Sequence, residues 1–315
     1  HALLEEPVVF DNLQMAIIDE QHRFGVRQRA ALRSKATNPH LLVMTATPIP
    51  RSLALTVYGD LDLSVMDEMP PGRQEVSTHL LYPRERERAY RLIGREVKAG
   101  RQAYIIYPLV EESEKIDARA AVEEHEKLQN EVFSHYNVGL LHGRMTPAEK
   151  DEVMADFRDN KCQILVTTSV VEVGVDVPNA TVMIIEGANR FGLAQMHQFR
   201  GRVGRGDHQS YCILIPQSVE AVENERLKAM VDTSNGFVLA EKDLDQRGPG
   251  EFLGTRQAGY SELQLASITD VHLIETARKQ AKLLFDRDPD LKNTEHQELV
   301  NAMQRHWSQG YADIS

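Results

Sequence analysis

Four short segments hold the residues whose types and spacing could do chemistry. In Ile17-Ile-Asp-Glu-Gln-His22 two carboxylates follow an apolar run. A buried strand emerging at the C-terminal edge of an open α/β sheet would place them where such sheets bind ligands. An aspartate there can hold Mg²⁺ and the adjacent glutamate can polarise an attacking water, although acids at that position also simply cap the next helix. Met44-Thr-Ala-Thr-Pro-Ile-Pro-Arg51 offers two hydroxyls after a second apolar run. They could relay the state of a nucleotide or be ordinary turn residues. In Gln198-Phe-Arg-Gly-Arg-Val-Gly-Arg205 three arginines and two glycines occupy what reads as a loop-to-helix segment with little left for a core. Guanidinium groups fork onto phosphate oxygens and glycine lets the backbone come close; a surface salt-bridge cluster is the plainer reading. In Val166-Thr-Thr-Ser-Val-Val-Glu-Val-Gly-Val-Asp-Val-Pro178 a strand runs into hydroxyls, then Gly174 and Asp176. Hydroxyls and backbone N–H groups at a helix start can hold nucleic-acid phosphates without reading sequence.

These segments must be positioned by repeated βα units. Residues 1–70 read as α/β, with short strands at Gln14–Asp19 and Leu41–Thr45 that have the branching of buried parallel strands. Pro70-Pro71-Gly72 breaks the pattern and marks a boundary. Further strands are predicted at Ser77–Tyr82, Ala103–Tyr107, Val138–Leu141, Ile164–Thr168, Val182–Glu186 and Tyr211–Ile215. Helices are predicted at Arg84–Ala99, Ala118–His135 and Pro147–Arg158, the last behind a Thr146 cap. Such alternation implies a parallel sheet with helices on both faces. After Pro216 two short helices, Val219–Thr233 and Phe237–Leu244, precede a glycine-rich stretch at 247–257 and further helices.

Composition narrows the class. The chain has 315 residues, 42% hydrophobic, with 47 acidic against 36 basic side chains and a net charge of −11. That excludes wholesale disorder and a uniformly basic nucleic-acid coat, but not a local basic strip. Charge is uneven, since residues 84–101 carry seven basic and three acidic side chains and 111–131 carry eight acidic and three basic; a solvated helix face is the plain reading of each. Cys162 and Cys212 lack a zinc-binding context, which points to a reducing compartment. With no apolar run near membrane length and no secretion signal, the expectation is a soluble, cytoplasmic protein without a membrane partner. The chain starts at His1 and is expected to be a piece of something larger.

In this order, DEQH, TATPIPR, VTTSVVEVGVDVP and QFRGRVGRG resemble the later half of a superfamily-2 helicase motif series. With DEQHRFGVRQR and a PPGR linker the likeness narrows to two groups: RecG, which remodels branched DNA at stalled forks and Holliday junctions in recombination and repair, and Mfd, the transcription-repair coupling translocase. Asp245-Gln-Arg-Gly-Pro-Gly-Glu-Phe-Leu-Gly-Thr-Arg-Gln257 looks like the TRG (translocation in RecG) motif of both and is closer to RecG in wording, although Gln246 departs from an apolar position. No G-x-x-x-x-G-K-[ST] phosphate loop occurs in the chain; in the family it lies upstream, together with an OB-like wedge domain.

The resemblance implies a RecA-like α/β motor with one truncated and one complete parallel-sheet domain. Residues 1–72 would be the tail of the first motor domain, 73–216 the second, and 217–315 the TRG helical hairpin, loop and C-terminal helices. It makes Asp19 the Mg²⁺ ligand and Glu20 the water-activating acid, and it brings Arg202 and Arg205 to the triphosphate with Gln198 sensing it. Gly174 and Asp176 would border the ATP, and Gln21, His22, Thr45 and Thr47 would couple hydrolysis to domain movement. His142, Arg144, Thr167, Thr168 and Ser169 would face DNA phosphates, with a satisfied loop histidine as the alternative for His142. In the TRG region Arg247, Glu251, Arg256 and Gln257 would turn cleft closure into a pull on duplex DNA, unless the glycines there only serve turn geometry. Family resemblance adds single-stranded-DNA-binding protein as a partner and association with the bacterial nucleoid. A non-catalytic DNA-binding or docking module is the remaining alternative.

Overall fold

The computed structural model describes residues 7–20, 35, 39–46, 48, 62–69, 73–108, 114–168, 176–247 and 271–308. The chain divides into two compact units, one of residues 1–49 with 67–246 and the other of 50–66 with 247–315.

The larger unit holds two sheets. Strands β1 (Met15–Ile18) and β2 (His40–Val43) pair in parallel, with Ile18 opposite Val43. Ala16 and Ile18 are buried, whereas Met15 and Ile17 on the opposite face are exposed, as are Leu42 and Met44. The sequence reads these strands as buried on both sides. The difference is one of partners, because alternate side chains of a strand point to opposite faces and only one face here is covered.

The second sheet has six parallel strands in the order β3-β8-β7-β4-β6-β5. They are β3 (Ser77–Leu80), β4 (Gln102–Ile106), β5 (Val138–Leu141), β6 (Ile164–Thr167), β7 (Ala180–Glu186) and β8 (Tyr211–Ile215). Both faces are covered, which is why the central strands are apolar without alternation. Ile93 and Val97 of α1 (Arg86–Lys98) pack on Ile105, Val182 and Ile184, and Leu128 beyond α2 (Glu114–Lys127) joins that layer. On the other face Tyr104, Leu165 and Met183 meet Phe157 of α3 (Pro147–Arg158) and Met196 and Phe199 of α4 (Leu193–Arg200).

Local chemistry sets the ends of these elements. Thr146 and Glu149 form a reciprocal capping box at the start of α3: Thr146 Oγ1 accepts from the Glu149 N–H at 3.3 Å, and Glu149 Oε2 accepts from the Thr146 N–H at 2.7 Å. Pro147 follows at the first helical position, where its missing N–H costs nothing.

Helices α5 (Glu225–Asp232) and α6 (Gly236–Arg247) differ from expectation in where they belong. The sequence assigns them to a separate region from 217 onward. Leu227, Met230 and Leu239 instead complete the core that begins at Tyr104 and Phe199, so their apolar faces are spent on the six-stranded sheet. The boundary read at Pro70-Pro71-Gly72 lies outside the described residues.

The smaller unit contributes α7 (Val271–Arg287) and α8 (Gln297–Ser308). Between them Asp288 accepts backbone N–H bonds from Lys292 at 2.9 Å and Asn293 at 3.0 Å, and contacts His296 Nδ1 at 2.7 Å. No described helix is long and apolar enough to cross a membrane.

Candidate nucleotide and nucleic-acid site

The arginine cluster sits at a helix end, not a helix start. Gln198, Phe199 and Arg200 close α4, and a turn through Gly201-Arg-Val-Gly-Arg205 follows. Within that turn Gly204 takes a left-handed φ of +75°, where a Cβ would also lie 2.7 Å from Val76 Cγ2. Nor is this segment free of core residues, since Phe199 and Val203 are fully buried.

The three arginines separate by burial. Arg200 is only 4% exposed and donates to the carbonyls of Met230 at 2.8 Å, Thr233 at 3.0 Å and Ser234 at 3.3 Å. A buried guanidinium is tolerated only with such acceptors. These carbonyls lie at the C-terminal end of α5, where the helix dipole favours a cation. Its Nη2 also reaches His197 Nδ1 at 3.2 Å. Burial, then the charge of Arg200, pushes His197 down to about 4, so the ring is neutral near pH 7 and can accept that bond. Sequence reasoning did not separate Arg200 from its neighbours. The signal was its i, i+4 spacing from Met196, which puts it one residue from the buried stripe of α4.

Arg202 is half-buried and Arg205 exposed. Arg205 Nε donates to the Gly201 carbonyl at 3.0 Å, and its Nη1 lies 3.3 Å from Asp176 Oδ1. A Cβ on Gly206 would meet the Pro178 carbonyl at 2.6 Å, so the arginine loop runs hard against the Asp176–Pro178 segment. Two motifs some 30 residues apart in sequence thus share one surface. Tyr104 of β4 lies beneath it: burial holds its hydroxyl protonated, against the pull of Arg202 and Arg205. Gln198 is half-buried on α4. Gly174 lies outside the described residues.

At the end of β1, Asp19 Oδ1 accepts the Glu20 N–H at 2.8 Å while Glu20 adopts a φ of 52°. The Met44 N–H donates to the Ile18 carbonyl at 2.7 Å, and this register sets Thr45 beside the Asp19–Glu20 corner. Gln21, His22 and Thr47 lie outside the described residues. Pro48 of the TATPIPR segment meets the start of α6, since a Cβ at Gly236 would come within 2.6 Å of Pro48 Cγ and 2.7 Å of His197 Nε2.

The hydroxyl segment after β6 is only partly available. Thr167 was expected to face phosphates, but it is fully buried and its Oγ1 donates to the Thr168 carbonyl at 2.8 Å. It is the last residue of β6, paired with Leu141, so strand alternation turns it into the sheet layer. Thr168 is also buried, yet its Oγ1 has no hydrogen-bond partner among the described residues, and neither has the buried Nδ1 of His142. The Thr168 N–H donates to the Leu141 carbonyl at 3.2 Å, which places these two groups at neighbouring strand ends. Burial, with Arg144 and Lys150 nearby, holds His142 below its usual range. Arg144 is exposed on the following turn, and Ser169 lies outside the described residues.

Glu186 closes β7, where the sequence pattern predicts only a strand end. It is buried and takes a bidentate pair from Arg86, Nε to Oε1 at 2.8 Å and Nη2 to Oε2 at 3.0 Å. Burial pushes its carboxyl up and Arg86 pulls it back. In the TRG stretch, Arg247 ends α6, whereas Glu251, Arg256 and Gln257 lie outside the described residues.

A parallel sheet of this order, with an arginine turn beside Asp176, is the RecA-like α/β fold of helicases, and the helicase conserved C-terminal domain matches residues 85–207. Domain 3, C-terminal, of the ATP-dependent DNA helicase RecG matches residues 233–309. The chain belongs to the RecG family, of which it carries the C-terminal part. It is 54% identical to RecG of Synechocystis over 93% of its own length and 35% of that relative. Against RecG of Bacillus subtilis it is 50% identical over 94% of its length and 44% of that relative. The chain therefore spans less than half the length of these relatives. A RecG structure bound to a three-way DNA junction aligns at a TM-score of 0.67 and 48% identity, covering 87% of this chain and 35% of that one. Yeast Dbp5 bound to RNA and ADP BeF3, at 17% identity and a TM-score of 0.53, shares the fold alone, with 75% of this chain and 61% of that one covered.

Proposed function

We propose that the chain is motor machinery of an ATP-dependent DNA helicase that remodels branched DNA in recombination and repair. The observation that carries this reading is the arginine turn after α4 held against Asp176, which leaves Arg205 exposed on the loop surface. Two cations on a glycine-bounded turn can meet charge that develops on a transferring phosphoryl group. Arg202 and Arg205 take that role, Gln198 senses the nucleotide, and Gly174 and Asp176 border it. The match to RecG domain 3 favours this reading over an Mfd-like translocase.

Mg²⁺ fits the donors present. Asp19 is an exposed carboxylate at a strand end, and no described group of three His, Cys, Asp or Glu side chains forms a cage. Mg²⁺ characteristically takes one or two carboxylates plus phosphates and water. With ATP it would supply neutralisation of phosphate charge. Asp19 would hold it, Glu20 would orient the attacking water, and Gln21, His22, Thr45 and Thr47 would pass the nucleotide state to the contact of Pro48 with Gly236.

DNA binds through its backbone at the C-terminal edge of the six-stranded sheet. The Thr168 hydroxyl and His142 Nδ1, without a partner among the described residues, and exposed Arg144 support this, and Ser169 extends the track. A neutral imidazole can carry its hydrogen on either nitrogen. Arg247, Glu251, Arg256 and Gln257 couple domain closure to movement along DNA. Single-stranded-DNA-binding protein is the proposed protein partner and the bacterial nucleoid the proposed location. The chain alone should not turn over ATP, because it contains no G-x-x-x-x-G-K-[ST] cradle for the β- and γ-phosphates. Steady-state ATPase assays of the 315-residue chain with forked DNA test this, and sustained turnover would refute it.

A further inference from the structure

We propose that α1 carries a second phosphate-backbone contact for duplex DNA, on the sheet face opposite the arginine-bearing helix α4. Arg84, Arg88, Arg91, Arg95 and Lys98 are spaced i, i+4, i+7, i+11 and i+14, and all five are exposed. At 3.6 residues per turn this spacing lines Arg88, Arg91, Arg95 and Lys98 along one face of α1, opposite the face that buries Ala89, Ile93 and Val97, with Arg84 in the turn just before the helix. From Arg88 to Lys98 the stripe runs about 15 Å at 1.5 Å per residue.

Among the exposed side chains of α1 one is acidic, Glu87, against five basic ones, Arg86, Arg88, Arg91, Arg95 and Lys98. Glu85 pairs with Arg88 at 2.6 Å and Glu96 with Arg95 at 3.1 Å, both with the arginine more than 60% exposed. The Arg88–Glu85 pair lies at the surface and holds its arginine weakly; Glu96 is buried and also takes Arg101, so Arg95 is not its sole counter-ion. Arg91 and Lys98 make no side-chain hydrogen bond or ion pair among the described residues. Arg95 lies 5.7 Å over the Tyr211 ring, which fixes its direction while leaving its charge in solvent.

Position selects the occupant. The first turn of α1 is tied to the C-terminal edge of the sheet by the Arg86–Glu186 pair, and Tyr211 opens β8 at the opposite edge. The stripe therefore starts on the edge that carries His142 and Thr168 and descends the height of the sheet. A nucleic-acid backbone crossing that edge would reach the first turn of α1 at Arg86 and Arg88. Four of the five cations are arginine, whose fork matches phosphate oxygens. The chain's −11 charge is no obstacle to a local strip.

This inference rests on the DNA reading above, and the test separates the two. Binding of labelled duplex DNA by the 315-residue chain is measured over a salt series for three proteins: wild type, Arg144→Gln, and the triple variant Arg88→Gln, Arg91→Gln, Lys98→Gln, with circular dichroism confirming the fold. The triple variant should bind about tenfold or more weakly at low salt, with the slope of log K against log[salt] shallower by about 2 to 3, because each phosphate contact contributes about 0.9. If Arg144→Gln weakens binding and the triple variant matches wild type, the stripe is refuted and the edge reading stands. If wild type binds no DNA even at low salt, the DNA reading fails and takes the stripe with it. If DNA binding is equal in all three but a glutamate-rich peptide binds wild type and not the triple variant, the stripe serves a protein partner and the proposal is overturned.

Discussion

Arg200 Nη1 donates to the Met230 carbonyl across 2.8 Å, and this bond ties the last residue of the arginine-bearing helix α4 to the helix that follows the sheet. Together with the bonds to Thr233 and Ser234, it makes the α5–α6 connection a fixed extension of α4. A surface salt-bridge cluster would not do this, because an exposed pair breaks at little cost.

Arg200→Ala should therefore be a stability mutation. It strands buried carbonyls, each worth about 1–3 kcal/mol when left unpaired, and opens a void beside Met230. A loss of about 3 kcal/mol or more is expected in urea unfolding of the chain. Arg205→Ala, whose side chain is exposed, should change stability by less than about 0.5 kcal/mol. Equal destabilisation by the two would overturn this division.

In a protein that also supplies the phosphate loop, Arg205→Ala should cut DNA-stimulated ATPase by about 10³-fold or more while leaving DNA binding largely intact. An arginine that meets developing charge stabilises the transition state more than the ground state. Arg205→Lys should rescue little, since an ammonium lacks the planar fork. Arg256→Ala should spare ATPase and impair fork unwinding. Parallel ATPase and unwinding assays check both, and proportional loss in both assays for Arg256→Ala would contradict its coupling role.

His197 sets a pH dependence. Its folded value is about 4 against an ordinary 6.5, so the unfolded chain takes up a proton that the folded chain refuses. The sign follows: stability is intact above 6.5 and declines as pH falls from 6.5 toward 4, by up to about 3 kcal/mol. His197→Gln should flatten that part of the curve, measured by denaturant midpoints across the range. An unchanged slope in the variant would show that another group is responsible.

Gly204→Ala should cost about 1–3 kcal/mol, because its φ of +75° strains any side chain and a Cβ would press on Val76. Gly94→Ala, on α1 with open space around its Cα, should be neutral or slightly stabilising. Thermal melts of the two variants give the comparison directly.

The sequence by itself determined the strands and the family. Runs such as Ile164–Val166 and Val182–Ile185 are apolar at every position, as the strands of a doubly covered parallel sheet are. Thr146 and Pro147 marked a helix start that needs no tertiary contact. The four motif segments were legible for the same reason, since each is a local string of residue types. What those residues touch was decided only in three dimensions. Arg200, Arg202 and Arg205 are chemically alike and lie within six positions, yet one is a buried clamp and another stands beside Asp176. Thr167 and Thr168 are adjacent and identical, but strand pairing sends one hydroxyl to a carbonyl and leaves the other unpartnered. The α5 and α6 helices read as a new region and proved to complete an existing core. Propensity and motif act over a few neighbours along the chain. Burial and partnering depend on elements brought together from 30 to 100 residues away, as Arg200 with Met230 and Arg86 with Glu186 are.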